Sequence, residues 1–192
     1  MSETLKIIRA EHRRLAAVIN CFVGVLQEIK DRDHPPEFEM FEQVVVYFEQ
    51  FLYRFHHPKE DQYLFPRLLE RAKDSTEVIQ RLESEHEQGK EILVKLRTNL
   101  DNYRAHPDQD SFDSFYNIAM VYRDFEWHHM GTEERDVLPL AESALHESDW
   151  QELDAIFTAH EDPVFGRKQK EEFSDLATRI VNLAPAPHGL GG

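Results

Sequence analysis

Two stretches of this chain repeat one spacing. The first holds Glu11-His12, His56, Glu60 and Pro66; the second holds Glu85-His86, His129, Glu133 and Pro139. The lone histidines are offset by 74 residues, and the other three positions by 73. Two related units whose histidines and carboxylates must meet would leave this trace. A metal site built from two helical hairpins is the simplest such object.

The segments between these residues read as helices. Leu5, Ile8, His12, Leu15, Ile19, Phe22, Leu26 and Ile29 recur at spacings of three and four, predicting a helix from Ser2 or Glu3 to about Lys30. Asp31 to Pro36 is a breaker-rich loop. A second helix is predicted from Pro36-Glu37 to about Ala72, carrying Phe41, Val44, Val45, Phe48, Leu52 and Phe55 ahead of His56 and Glu60. Pro58 and Pro66 lie inside it, and each should kink it. Asp74-Ser75 is read as the cap of a third helix running to about Tyr103. A fourth is predicted from Ser111 toward Leu145, with Gly131 and Pro139 as weak points. A short helix capped by Asp149 should run from Trp150 to His160, and another from Pro163 to about Leu183.

The fold class predicted is all-α: an up-down-up-down four-helix bundle over residues 1–146, with extra C-terminal helices over 147–183 packed on it. The Pro/Gly tail 184–192 is expected to be disordered.

Helical rise then tests whether the repeated residues can meet. Counted from loop midpoints near residues 33, 74 and 107, His12, His56, Glu60, His86, His129 and Glu133 fall in one layer, within about two helical turns. His56/Glu60 and His129/Glu133 are i,i+4 pairs, each on one helical face. Alone, any one of these histidines reads as an ordinary core residue and either pair as a solvated helix pair. Together, buried without a cation, they would carry a heavy desolvation penalty. Four histidines and two glutamates make six ligands. With both carboxylates bridging, each of two metals receives two nitrogens and two oxygens, and an oxo or hydroxo bridge would add a fifth donor. Imidazole with carboxylate suits iron or manganese, with zinc also allowed.

Composition removes other classes. A net charge of −15 makes nucleic acid and anionic lipid poor partners. A single cysteine, Cys21, rules out an intrachain disulfide and a thiolate cluster. Neither a leader-like opening nor a run of about 18 apolar residues occurs, so the expectation is a cytoplasmic protein with no membrane partner.

The pattern H…HxxxE…H…HxxxE, with proline six residues after each glutamate, resembles the hemerythrin-like (HHE cation-binding) domains. The residues that carry it are His12, His56-His57-Pro58-Lys59-Glu60 with Leu64-Phe65-Pro66, Glu85-His86, and His129-Met130-Gly131-Thr132-Glu133 with Val137-Leu138-Pro139. It covers roughly residues 3–145. A weaker match is Asp162-Pro163-Val164-Phe165-Gly166.

The resemblance implies a four-helix bundle with two non-haem iron ions bridged by carboxylates. It further implies a role in binding O2, or in oxygen, nitric oxide, peroxide or iron sensing. Two departures stand out. Oxygen-carrying members have a second histidine four residues after the third-helix ligand, where this chain has Lys90. Their last carboxylate is an aspartate five residues after a histidine, here Glu133 at four. His160, on the short helix beyond the bundle, is the candidate replacement if it folds back; its other reading, the favoured one, is a histidine at a helix C-terminus near the dipole. His57 and His128 adjoin ligand residues but are turned about 100° away on an α-helix, so they are expected beside the site or on the surface. Tyr53, Tyr63 and Tyr122 are expected to pack near it.

The predicted function is therefore a di-iron protein binding O2 or another small ligand for sensing, storage or stress response. An oxidoreductase acting on peroxide or nitric oxide is the alternative. A ferritin-like carboxylate bundle using Glu83/His86 and Glu126/His129, and an interaction module without metal, are the remaining readings. No attached signalling segment is visible, so any signal would pass to a separate protein partner, from a monomer or homodimer.

Overall fold

A computed structural model of the 192-residue chain describes residues 2–32, 35–159, 167–184 and 188. Among these residues the structure is helical, without strands. Helix α1 is Glu3–Arg32, α2 spans 38–71, α3 is Thr76–Ala105, α4 spans 109–144, α5 is Glu147–Thr158 and α6 is Arg167–Leu183. Among the described residues, no helix is long and apolar enough to cross a membrane.

The core is two apolar clusters, one on each side of a polar layer. One joins Leu15 to Ile29 of α1 with Met40 to Phe55 of α2, Leu93 to Leu100 of α3 and Phe112 to Met130 of α4. The other joins Leu5 and Ile8 with Leu64 to Leu68, Ile79 and Leu82, Val137 to Ala141, and Leu153 and Phe157 of α5. Successive helices cross from one cluster to the other in alternating directions. Every crossing is made by the repeated His/Glu residues.

Ahead of three prolines the helix widens. Helix α2 is π-helical at Phe48–His56 and Glu60–Leu64, and α4 at Glu133–Val137. Each π stretch ends two residues before a proline: Pro58, Pro66 and Pro139. Proline has no N–H to give, and its ring collides with the carbonyl four residues back. Bonding to the fifth residue back relieves both. Gly131 stands where the first copy has Pro58, and there α4 stays α-helical through Thr132. The weak point expected at Gly131 is therefore not found.

Three helix starts differ from expectation. Asp108 caps α4, with Ser111 at the third position completing a reciprocal capping box. Asp149 likewise sits at the third position of α5, accepting from the His146 backbone N–H at 2.9 Å. Ser75 turns its hydroxyl back to the Ala72 carbonyl at 2.6 Å and leaves α3 without a side-chain cap.

Helices α5 and α6 pack on the bundle. Asp154 of α5 accepts from the Glu3 and Thr4 backbone N–H groups at 3.1 and 2.7 Å, so α1 is capped from outside its own sequence. Phe173 of α6 covers Phe51 and Phe55, with ring centroids 5.6 and 5.0 Å away. Ala184 is buried, and His188 places Nε2 3.4 Å from Glu28, so these two residues of the expected disordered tail lie against the bundle. The rest of that tail, with the Asp162 to Gly166 segment, lies outside the described residues.

Candidate metal centre

His12, His56, Glu60, His86, His129 and Glu133 come together and are buried. Each of the four histidines gives Nδ1 to a carboxylate. His12 bonds Glu134 at 2.8 Å, His56 bonds Glu11 at 2.8 Å, His86 bonds Asp61 at 2.8 Å and His129 bonds Glu85 at 2.9 Å. In a neutral imidazole with its proton on Nδ1, Nε2 carries only a lone pair. Those lone pairs face each other. His12 Nε2 is 3.2 Å from His56 Nε2, and His86 Nε2 is 3.1 Å from His129 Nε2. Two such nitrogens repel unless a cation lies between them. Nitrogens at right angles on one ion, each about 2.1 Å from it, are about 3 Å apart.

The two glutamates lie between the histidine pairs. Glu133 places Oε2 3.1 Å from His12 Nε2 and Oε1 3.2 Å from His129 Nε2. Glu60 Oε2 is 3.6 Å from His56 Nε2 and 4.0 Å from His86 Nε2. These contacts lack hydrogen-bond geometry, and all four oxygens of Glu60 and Glu133 are buried without a hydrogen-bond partner. Orphaned buried carboxylate oxygens are costly, and coordination is their ordinary remedy.

Electrostatics point the same way. Burial and the neighbouring Glu133 push the Glu60 carboxyl well above the usual range. Burial opposes ionisation of Glu133 too, but the charges of His129 and His12 hold it well below that range. Burial also disfavours charge on His12, yet Glu133 and Glu134 raise it to about 10. The pocket draws in positive charge, and protons supply it where no metal does.

A fifth histidine joins the site, which corrects one expectation. His57 is buried, its ring stacked on His86 with centroids 3.9 Å apart and planes 12° apart. It meets His129 edge-on at 5.3 Å, and neither of its nitrogens has a hydrogen-bond partner. Two donor groups result: His57, His86 and His129 form one, and His12, His56, Glu60 and Glu133 the other. The cause is the π stretch before Pro58. A wider turn carries more residues, so adjacent side chains diverge by less than the α-helical 100° or so, and both His56 and His57 face inward. Lys90, by contrast, is 46% exposed and pairs with Glu87. His128 is exposed, as expected. His160 lies outside the described residues.

The sequence also carries a signal for the supporting carboxylates. Glu11 and Glu85 precede the lone histidines, and Asp61 and Glu134 follow the glutamate ligands, so the Nδ1 acceptors repeat with the ligands. Such acceptors fix the ring and make it a stronger donor.

The two halves differ in one cation. Lys59 is fully buried, with Nζ 2.5 Å from Glu11 Oε1 and 4.1 Å from the centre of the Phe55 ring. Burial works against a charged Glu11, but Lys59 and His56 pull it down to about 2. Thr132 holds the matching position in the second half. There Glu85 has Arg81, at 3.7 Å and half exposed.

Beside the three-histidine group lies a second buried polar cluster. Tyr53 meets His57 edge-on, with centroids 5.0 Å apart, and donates to Glu126 Oε1 at 3.3 Å. Glu126 is completely buried, its Oε2 has no partner, and burial pushes its carboxyl up to about 7. Glu83, the other residue of the ferritin-like reading, is exposed and cannot be a ligand.

Comparison with known proteins adds one match. The family model for the hemerythrin HHE cation binding domain matches residues 3–141. No curated protein and no solved structure matches the chain.

Proposed function

The chain belongs to the hemerythrin HHE cation-binding domain family, and from this premise we propose that it holds two iron ions and takes up O2 or a related small ligand through them, in sensing, storage or stress response. The observation that carries the reading is the close facing of Nε2 atoms, His12 with His56 and His86 with His129, around two unpartnered carboxylates.

His12, His56, Glu60 and Glu133 would hold one ion, and His57, His86 and His129 the other, with Glu133 Oε1 3.2 Å from His129 Nε2. Bound iron supplies a reversible electron couple and exchangeable positions for a small ligand. The His12/His56 group has fewer nitrogen donors than the His57 group, so that side would have room for a small ligand. Glu11, Glu134, Asp61 and Glu85 orient the rings. The apolar clusters above and below exclude bulk water.

Metal analysis after anaerobic Fe(II) loading tests the reading, together with absorption spectra before O2, with O2 and after its removal. About two irons per chain and a band that comes and goes with O2 support it. Failure to retain iron, or preferential retention of zinc or manganese, overturns it. The second reading, an oxidoreductase acting on peroxide or nitric oxide, is favoured by the Tyr53–Glu126 pair against His57. Consumption of peroxide or nitric oxide over many turnovers would select it.

A further inference from the structure

The Tyr53 cluster has features that packing alone does not require. Its hydroxyl is aimed at a buried carboxylate, and its ring touches a ligand imidazole. Room for that hydroxyl is made by Gly89 on α3. A Cβ there would come within 2.4 Å of the Tyr53 oxygen and 2.9 Å of Phe125. Tyr122, one turn before Glu126 on α4, keeps its hydroxyl buried without a hydrogen-bond partner in the same cluster. A second phenol thus lies near the same internal carboxylate, to which Tyr53 alone is hydrogen-bonded.

Removing an electron from a phenol requires its proton to leave as well, and a base within hydrogen-bond reach is what permits this. We propose that Tyr53 is a redox-active side chain of the metal pocket, passing its proton to Glu126 and its electron toward the His57 ring, with Tyr122 as the second phenol. The inference rests on the metal-binding reading and on its peroxide branch. The chemistry balances with hydrogen peroxide as the oxidant. The O–O bond breaks, and each phenol gives up one electron and one proton. One peroxide and two tyrosines become two waters and two tyrosyl radicals. Glu126 relays the protons and is unchanged at the end.

The test loads the full chain with Fe(II) under anaerobic conditions, mixes it with hydrogen peroxide and freezes samples for electron paramagnetic resonance. Iron is assayed on the same samples. Wild type is expected to give a tyrosine-type radical, and Tyr53→Phe to lose it while keeping its iron. Glu126→Gln keeps the phenol but loses the base, so the radical should form about a hundredfold more slowly. Gly89→Ala, which displaces the hydroxyl without removing it, should lower the yield, and Tyr122→Phe should lower it by about half. An iron-loaded wild type with no tyrosine radical overturns the proposal and leaves metal binding standing. So does an unchanged radical in Tyr53→Phe. A chain that retains no iron overturns the metal reading and this proposal together.

Discussion

His57 lies face to face with His86, ring centroids 3.9 Å apart, while Lys90 one turn further along α3 points to solvent. The imidazole missing from α3 is thus supplied by α2. His57→Ala should leave about one iron per chain where wild type retains about two, and Lys90→Ala should leave metal content unchanged. Metal analysis after dialysis against a mild chelator decides between them.

Pro58 places His57 by widening the helix before it. Pro58→Ala restores an N–H and should let residues 48–56 tighten, turning His57 outward. Metal retention should fall as it does in His57→Ala. The metal-free protein should gain stability, by up to about 3 kcal/mol, because an interior proline is gone. Urea unfolding of the metal-free form and iron content of the loaded form measure the two effects.

The Lys59–Glu11 pair is buried, so breaking it leaves a lone charge. Lys59→Met should cost about 3–5 kcal/mol. The double variant Glu11→Gln/Lys59→Met removes both charges and should recover most of that loss in urea unfolding. Glu11→Gln and Glu85→Gln should each weaken metal binding about 10–100-fold in chelator competition, since each leaves a ligand ring without its anionic acceptor.

Asp149 ties α5 to the end of α2 through a two-pronged contact with Arg71, 2.8 Å at each oxygen. The Arg71 guanidinium, against the opposing effect of burial, pulls Asp149 down to about 2. Its folded value lies below the unfolded one, about 3.9. The stabilisation is therefore present above about pH 4 and is lost as pH falls toward 2. Wild type should be more stable than Asp149→Asn at pH 6, and the difference should shrink by pH 2.5. Urea midpoints at the two pH values measure it.

Much of this protein was legible in one dimension. Apolar residues at spacings of three and four fixed the helices, because helical periodicity is a local property. Equal distances from the loops placed six side chains in one layer, because helical rise is constant. The doubled spacing marked the candidate ligands, and it carried the carboxylates bonded to their Nδ1 atoms too, since Glu11/Glu85 and Asp61/Glu134 travel with it. Three things belonged to tertiary structure. Pro58 announced a disturbance, but only the packed helix decided that the chain widens and turns His57 inward. Lys59 reads as one more surface cation until Phe55, Phe157 and Glu11 close around it. Tyr53 and Glu126 hold matching positions in the two copies, 73 residues apart, but the doubled spacing does not say that their side chains meet. Contacts of this kind depend on which faces of distant helices meet, and the pattern of a single helix does not contain that information.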